Sequence, residues 1–521
     1  MACPAVANNH ARPPLWARAL SWLLTITSLL PTTSAVRLRP PLQLVVAAAN
    51  GGADSPPTSS AACLDAAGQP VPWWLHYKLP GDCDSGGTWV RGNVSLYVDA
   101  HSVGRCRGNG GSDCWSLSSI DAPGSALQRT LSQLNGTGTG QLLYNDLPPV
   151  HDFKYWHYLR WAHAKGLLHF NATAGIWLRH SIPSWPNQTA AESWSTVPLH
   201  QTCLGQHVLC LSLDAAVLDG AVAGVLSKMK PFFYQAALPD ELRTAYPGLA
   251  ELLAEAGQPA AKPGAPSAAA FATAGGSTVW RAFAKANHGP EAEAQLFEAS
   301  VVPGLGVSMG WQTWRTQFGA YGADKCRYNP RNSMNATCGI APGGWDSANV
   351  QDLAVPAAAS STAAALLAAA GGAATPAPLQ ELVPPVLAWR SCDDHSKWGA
   401  ALPLGSKSSG GVSSSSSSSD RGSSSSSSSS GGIAGPASPW VCFCDNNRAW
   451  SQLPRGGACT CTESVPLWQA MAALVQRAPD TCGEAAGCSS AGVLSCIEHW
   501  LSGATRFFKR LPAPPSCCIS A

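Results

Sequence analysis

Two His-x-Lys triplets, one in HAKG (His163 to Gly166) and one in HSKW (His395 to Trp398), constrain this chain more than any other feature. In an extended strand, side chains at i and i+2 leave the same face, so each triplet presents an imidazole and an ammonium side by side. One triplet alone is weak evidence in a chain of 521 residues with 13 histidines. Two that act together require a fold in which remote segments meet. One triplet per half points to a pseudo-twofold α/β arrangement with a site at the seam.

Such a site suits attack on a phosphodiester. A neutral imidazole attacks phosphorus while an imidazolium protonates the leaving oxygen. The two lysines neutralise the non-bridging oxygens as charge builds, which is the task a metal ion performs elsewhere. A metal is then not required. The net charge of +2 announces no standing basic patch. Protonating the histidines below about pH 6 would make the chain strongly positive and tighten any polyanion contact.

The length allows more than one domain. Only 12% of the residues are charged, and 21 Trp, 50 Gly and 41 Pro describe a loop-rich, aromatic-packed protein. The amino terminus, residues 1–35, reads as a secretory signal, with an apolar run from Ala19 to Leu30 and small residues up to Ala35. That run is short for a bilayer span. Ala354 to Ala374 is the nearest other candidate, broken by Pro356, serines and glycines, so no stable membrane association is expected. Nineteen cysteines and the sequons at Asn93, Asn135, Asn171, Asn187 and Asn335 agree with export. The CxC strings at Cys442 and Cys459 raise a zinc reading, but zinc sites favour CxxC spacing.

Residues 36–62 form a Pro/Ala/Gly/Ser-rich leader. WWLHYKL, GQLLYND, GLLHF, GIWLRHS and HVLCLSL read as strands, and Ala215 to Met229 as a helix. Gly257 to Gly276 reads as a linker, Thr278 to Ala299 as a helix and GLGVSMGWQTW as extended. Residues 406–432, almost pure Ser and Gly, cannot form a core. They fall between Lys397 and Asn447, but a long flexible loop adds closure entropy only logarithmically. Ala491 to Phe508 reads as an amphipathic helix within a C-terminal extension, 485–521.

Several ordered blocks match one family. They are CLDAAGQPVPWWLHYKLP (Cys63 to Pro80), LLYNDLPP (Leu142 to Pro149), WAHAKGLL with GIWLRHSIPSWP (Trp161 to Pro186) and GQHVLCLSL (Gly205 to Leu213). DDHSKW (Asp393 to Trp398), PWVCFCDNNR (Pro439 to Arg448), RGGACTC (Arg455 to Cys461) and PLWQA (Pro466 to Ala470) follow. The chain resembles the deoxyribonuclease II family. The resemblance implies a catalytic domain over 63–484, made of two phospholipase D-like halves (about 63–235 and 277–484), each a mixed β-sheet flanked by helices.

It further implies that His163, Lys165, His395 and Lys397 form the centre of the site, with Asn447 on a phosphate oxygen or a lysine. Asp445 could orient a catalytic group as well, although a turn-capping role suits it equally. His180 matches a functional histidine; the alternative is a structural histidine bonded to backbone. Implied disulfides are Cys63–Cys210 and Cys442–Cys461, with Cys482 to Cys326 or Cys338. An odd total leaves at least one thiol unpaired or intermolecular, with Cys3, lost with the signal, and one of Cys517 and Cys518 as the candidates. Two positions depart from the family: Cys444 stands where a glycine is usual, and Gly399 where a cysteine often follows the second triplet.

The implied function is an acid endodeoxyribonuclease that cleaves DNA without metal or other cofactor through a phosphohistidine, leaving 3'-phosphate and 5'-hydroxyl ends. His163 is taken as nucleophile and His395 as acid, with exchange of roles open. The place of action would be a lysosome, an acidic vacuole or the exterior. Alternatives are a phosphodiesterase acting on RNA or phospholipid, and a secreted glycoprotein of the same fold without turnover.

Overall fold

A computed structural model describes residues 61–81, 92–107, 113–149, 160–187, 194–258, 267–287, 295–314, 338–356, 388–404, 436–449 and 452–476. The expected signal, most of the expected leader, the Ser/Gly tract, the expected C-terminal extension, Asn335 and the implied Cys482 pairing lie outside them.

The described residues are mixed α/β, with two eight-stranded sheets and two small two-stranded ones. In the first sheet, β1 (Trp73–Lys78), β2 (Val94–Asp99), β3 (Ser116–Ser119), β4 (Gly140–Asn145), β5 (Lys165–Phe170), β6 (Ala174–His180), β7 (Gln206–Asp214) and β8 (Phe233–Ala237) lie in the order β8-β4-β5-β6-β7-β1-β2-β3. The second sheet takes β9 (Ala268–Ala272), β10 (Val279–Lys285), β11 (Met309–Gln312), β12 (Cys338–Ala341), β13 (Trp345–Asn349), β14 (Trp398–Ala401), β15 (Trp440–Cys444) and β16 (Gly457–Glu463). Their order is β9-β10-β16-β15-β14-β11-β13-β12. β5, β6 and β7 are successive antiparallel neighbours, as are β14, β15 and β16.

Period-two alternation in β7 explains how the first sheet is buried on both faces. Val208 and Cys210 join one apolar cluster with Trp74, Ile176 and Leu127 of α1 (Ala126–Ser132), while Leu209, Leu211 and Leu213 join another. That second cluster runs on into the other sheet through Trp280, Trp311 and Trp398. Trp73 and Trp280 meet edge-on across it at 6.3 Å. The last helix among the described residues, α2 (Val465–Ala472), is capped by Ser464 and carries Pro466 in its first turn. Its Trp468 donates to the Ala401 carbonyl at 2.8 Å, and its Ala470 carbonyl accepts from Trp115 of the first half at 3.1 Å. Replacing any of these enclosed tryptophans by alanine would cost about 3–5 kcal/mol.

The expected strands of the first half are present, and the segment from Ala215 to Met229 is helical throughout, with a π turn at Leu218–Val222. Two expectations fail. Val279–Lys285, expected within a helix, is strand β10, whose register pairs Phe283 with Cys459 and Ala282 with Thr460. Ala268–Ala272, expected within a linker, is strand β9, paired along β10. Alanine favours helix in isolation, but pairing with a buried neighbour strand overrides that preference. No helix among the described residues is long and apolar enough to cross a membrane.

Candidate active site

Both triplets sit where a strand begins rather than within one. Lys165 opens β5, with His163 in the segment before it, and His395 to Lys397 directly precede β14. At these positions the histidine backbone is free of its own sheet and bonds to the other half of the chain. The His163 N–H donates to the Gly456 carbonyl at 2.9 Å, and the His395 N–H to the Gly205 carbonyl at 2.8 Å.

The rings repeat the exchange. His163 Nδ1 lies 2.7 Å from the Asp445 carbonyl oxygen, and His395 Nδ1 lies 2.8 Å from that of Ser181. A carbonyl only accepts, so Nδ1 carries the proton in both rings and Nε2 keeps its lone pair. Each half therefore fixes the tautomer of the histidine supplied by the other. The Trp314 ring stands edge-on to His395 at 4.7 Å.

Burial pushes both imidazoles well below their ordinary range. For His163 the next causes are Lys165, which also lowers it, and Asp146, which raises it; for His395 they are Lys397, Lys165 and His163, all lowering. The charge of His163 thus adds to the lowering of the His395 ring. Lys397 is likewise held well below the usual lysine range, by burial first and then by Lys165.

The expected side-by-side presentation of imidazole and ammonium holds only in part. Lys397 Nζ turns back to the His395 carbonyl at 2.6 Å and lies 3.2 Å from His395 Nδ1. Lys165 Nζ is held by Asp146 Oδ1. Asp146, buried at the end of β4, also receives Arg455 Nη2 at 2.9 Å and lies 4.0 Å from His163 Nε2. Burial alone would raise its carboxyl, but Lys165, His163 and Arg455 outweigh burial and hold it below the usual range.

Asp445 acts through two groups. Its carbonyl holds His163, while its carboxylate pairs with Arg179 at 2.7 Å and accepts from the Ala458 N–H at 2.8 Å. Asn447 accepts from the Trp314 N–H at 3.2 Å, beside the ring that packs on His395. His180, at the end of β6, accepts the Ile182 N–H on Nδ1 at 3.2 Å and packs edge-on against Trp185. Its Nε2 is buried and has no hydrogen-bond partner among the described residues.

Sequence reasoning passed over Asp146, Arg455, His207 and Gly205, all inside the matched blocks. A carboxylate directly after a strand-like run, in LLYND, was the one available signal. Cys442–Cys461, as the resemblance implied, and Cys444–Cys459 are disulfides on directly opposed residues of β15 and β16, which leaves these four cysteines no thiolate for zinc and gives Cys444 a structural purpose. Cys63–Cys210 forms as the resemblance implied, and Cys106–Cys114 adds a local bridge. Cys203 and Cys392 are disulfide-bonded as well.

A family model described as Deoxyribonuclease II matches residues 62–481. The chain is similar to deoxyribonuclease-2-alpha of Rattus norvegicus, 26% identical over 420 residues that cover 81% of this chain and 94% of the relative. It is similar to deoxyribonuclease-2 of Caenorhabditis elegans at 24% over 445 residues, covering 80% and 92%. Cell-death-related nuclease 7 of the same organism is 23% identical over 410 residues, covering 78% and 84%.

Proposed function

From the chain's membership of the deoxyribonuclease II family, which makes it a deoxyribonuclease, we propose that it cleaves DNA in acid through a phosphohistidine formed between its two halves. The observation that carries this reading is the reciprocal bonding of His163 by Asp445 and of His395 by Ser181. It leaves Nε2 of each ring open, so that one can attack phosphorus and the other, once protonated, can give its proton to the leaving oxygen.

His163 Nε2 attacks phosphorus as the P–O5' bond breaks, and the His395 imidazolium gives its proton to O5'. Water then attacks the phosphohistidine, His395 takes a proton from it, and the P–N bond breaks. The ends left are 3'-phosphate and 5'-hydroxyl. Lys165 and Lys397 balance charge on the non-bridging oxygens, Asn447 assists them, and no divalent ion enters the scheme. His180 offers a donor to the phosphate, and Asp445 is a positioning residue for His163.

The matching strand orders support a pseudo-twofold, phospholipase D-like reading. Aligning β5-β6-β7-β1 with β14-β15-β16-β10 puts each triplet at the start of equivalent strands. Depressed imidazoles support an acid optimum, since the proton donor is charged only there. The seam's cations suit a polyanion, and the place of action that fits is an acidic compartment of the secretory route or the exterior.

The test is cleavage of duplex DNA in excess chelator at acid pH, with RNA and phospholipid as parallel substrates and mapping of any phosphorylated histidine. Chelator-resistant DNA cleavage with phosphate trapped on His163 is expected. A strict divalent-ion requirement, or turnover unchanged in His163→Ala, would refute the scheme, and phosphate trapped on His395 would exchange the two roles.

A further inference from the structure

We infer that His207 is a further substrate ligand, whose Nε2–H binds a non-bridging oxygen of the phosphate held between the two His-x-Lys triplets. The inference rests on the phosphodiesterase reading and deepens it.

The argument starts from a backbone bond. The Lys397 N–H donates to His207 Nδ1 at 3.1 Å. A backbone N–H only donates, so His207 Nδ1 carries no proton, and a neutral ring must bear its proton on Nε2. His180 has the same arrangement through Ile182. His163 and His395 have the opposite one, with Nδ1–H committed to carbonyls. Four buried histidines thus divide into two with a bare Nε2 and two with an Nε2–H. Attack and proton transfer need the first kind; holding an oxyanion needs the second.

The position of His207 fits that division. It lies in β7 beside β6, is 2% exposed, and its ring faces Phe443 of β15 at 5.9 Å, across the seam between the sheets. The charges it feels are those of Lys397, Arg179 and Lys165, which come from both halves. Burial, with these cations, keeps the ring neutral, so it donates without adding charge. Nothing among the described residues accepts from its Nε2.

The rival role is purely structural: Nδ1 anchors the Lys397 backbone and Nε2 does nothing. Two variants of the full chain separate these roles. His207→Asn keeps an acceptor near the Nδ1 position and has nothing at the Nε2 position; His207→Gln places an amide N–H near the Nε2 position. The readouts are the inorganic phosphate concentration that half-maximally raises the melting temperature, and KM with kcat on a duplex oligonucleotide.

A donor to phosphate predicts about tenfold weaker phosphate stabilisation and a higher KM in the Asn variant, with a smaller loss in the Gln variant. The reverse order, equal phosphate response in wild type and the Asn variant, or a wild type that phosphate does not stabilise, would overturn the inference. A wild type that phosphate stabilises but that does not cut DNA would instead remove the nuclease reading and leave this ligand standing.

Discussion

His163 and Asp445, 282 residues apart in the chain, are joined by a hydrogen bond of 2.7 Å from the ring Nδ1–H to the main-chain carbonyl. Because the acceptor is backbone, no side-chain substitution at Asp445 deletes it directly; only a shift of the turn does. The Asp445 carboxylate, clamped by Arg179 and the Ala458 N–H, fixes that turn. Asp445→Asn should therefore lower kcat far more than it raises KM, by about tenfold or more, in steady-state assays at the acid optimum.

Asp146 pairs with two buried cations, so Asp146→Asn should cost about 3–5 kcal/mol in denaturant unfolding at neutral pH. Its folded carboxyl is held below the ordinary value, so its contribution is complete above the unfolded pKa of about 3.9 and is lost as pH falls through the folded value. The gap between wild type and variant should stay constant from pH 7 to about pH 5 and shrink only below about pH 4. A gap that closes by pH 5 would contradict the pairing.

Lys397 lowers the His395 imidazole, second only to burial. Lys397→Gln should cut kcat by about a hundredfold or more through the lost charge on phosphate. The residual rate should keep its proton donor charged to higher pH, moving the alkaline limb of the pH–rate profile upward. Movement of the acid limb instead would mean that His395 is the nucleophile.

Gly205 shows why a particular residue lacks a side chain. Its carbonyl receives the His395 N–H, and a Cβ there would lie 2.6 Å from Asp394 Oδ1. Gly205→Ala should displace Asp394 and with it His395, reducing kcat about tenfold while costing about 1–3 kcal/mol of stability. Full activity with unchanged stability would show that the contact is slack.

His76 tests acid stability away from the site. Buried between Trp74 and Tyr97, it is lowered to about 3 by desolvation. The unfolded ring binds a proton below about pH 6.5 and the folded ring does not, so this residue costs stability as pH falls toward 3, by about 1.4 kcal/mol per unit. His76→Phe should be slightly less stable at pH 7.5, from the lost Ser95 bond, and more stable than wild type by pH 4.5. Urea midpoints at the two pH values measure this.

The strands of the first half were legible because aromatic and aliphatic residues alternate in them, as in HVLCLSL, and turn residues such as Asn171 bound them. β9 and β10 were not, because AAAFA and VWRAFAK carry helix-favouring alanines and become strands only beside β16. The triplets and His180 could be singled out by spacing and resemblance. Asp146 had only its place after a strand-like run to mark it, and Arg455 and His207 had nothing, since their purpose lies in distances to residues far along the chain. The pairing of Cys444 needed the register of β15 against β16.

Because the carbonyls that hold His163 belong to Asp445 and Gly456, a chain still emerging from the ribosome has no assembled centre until Gly456 has been made. Under the proposed mechanism, a product that stops short of Asp445 lacks both carbonyls that hold His163 and has no nucleophile set for attack.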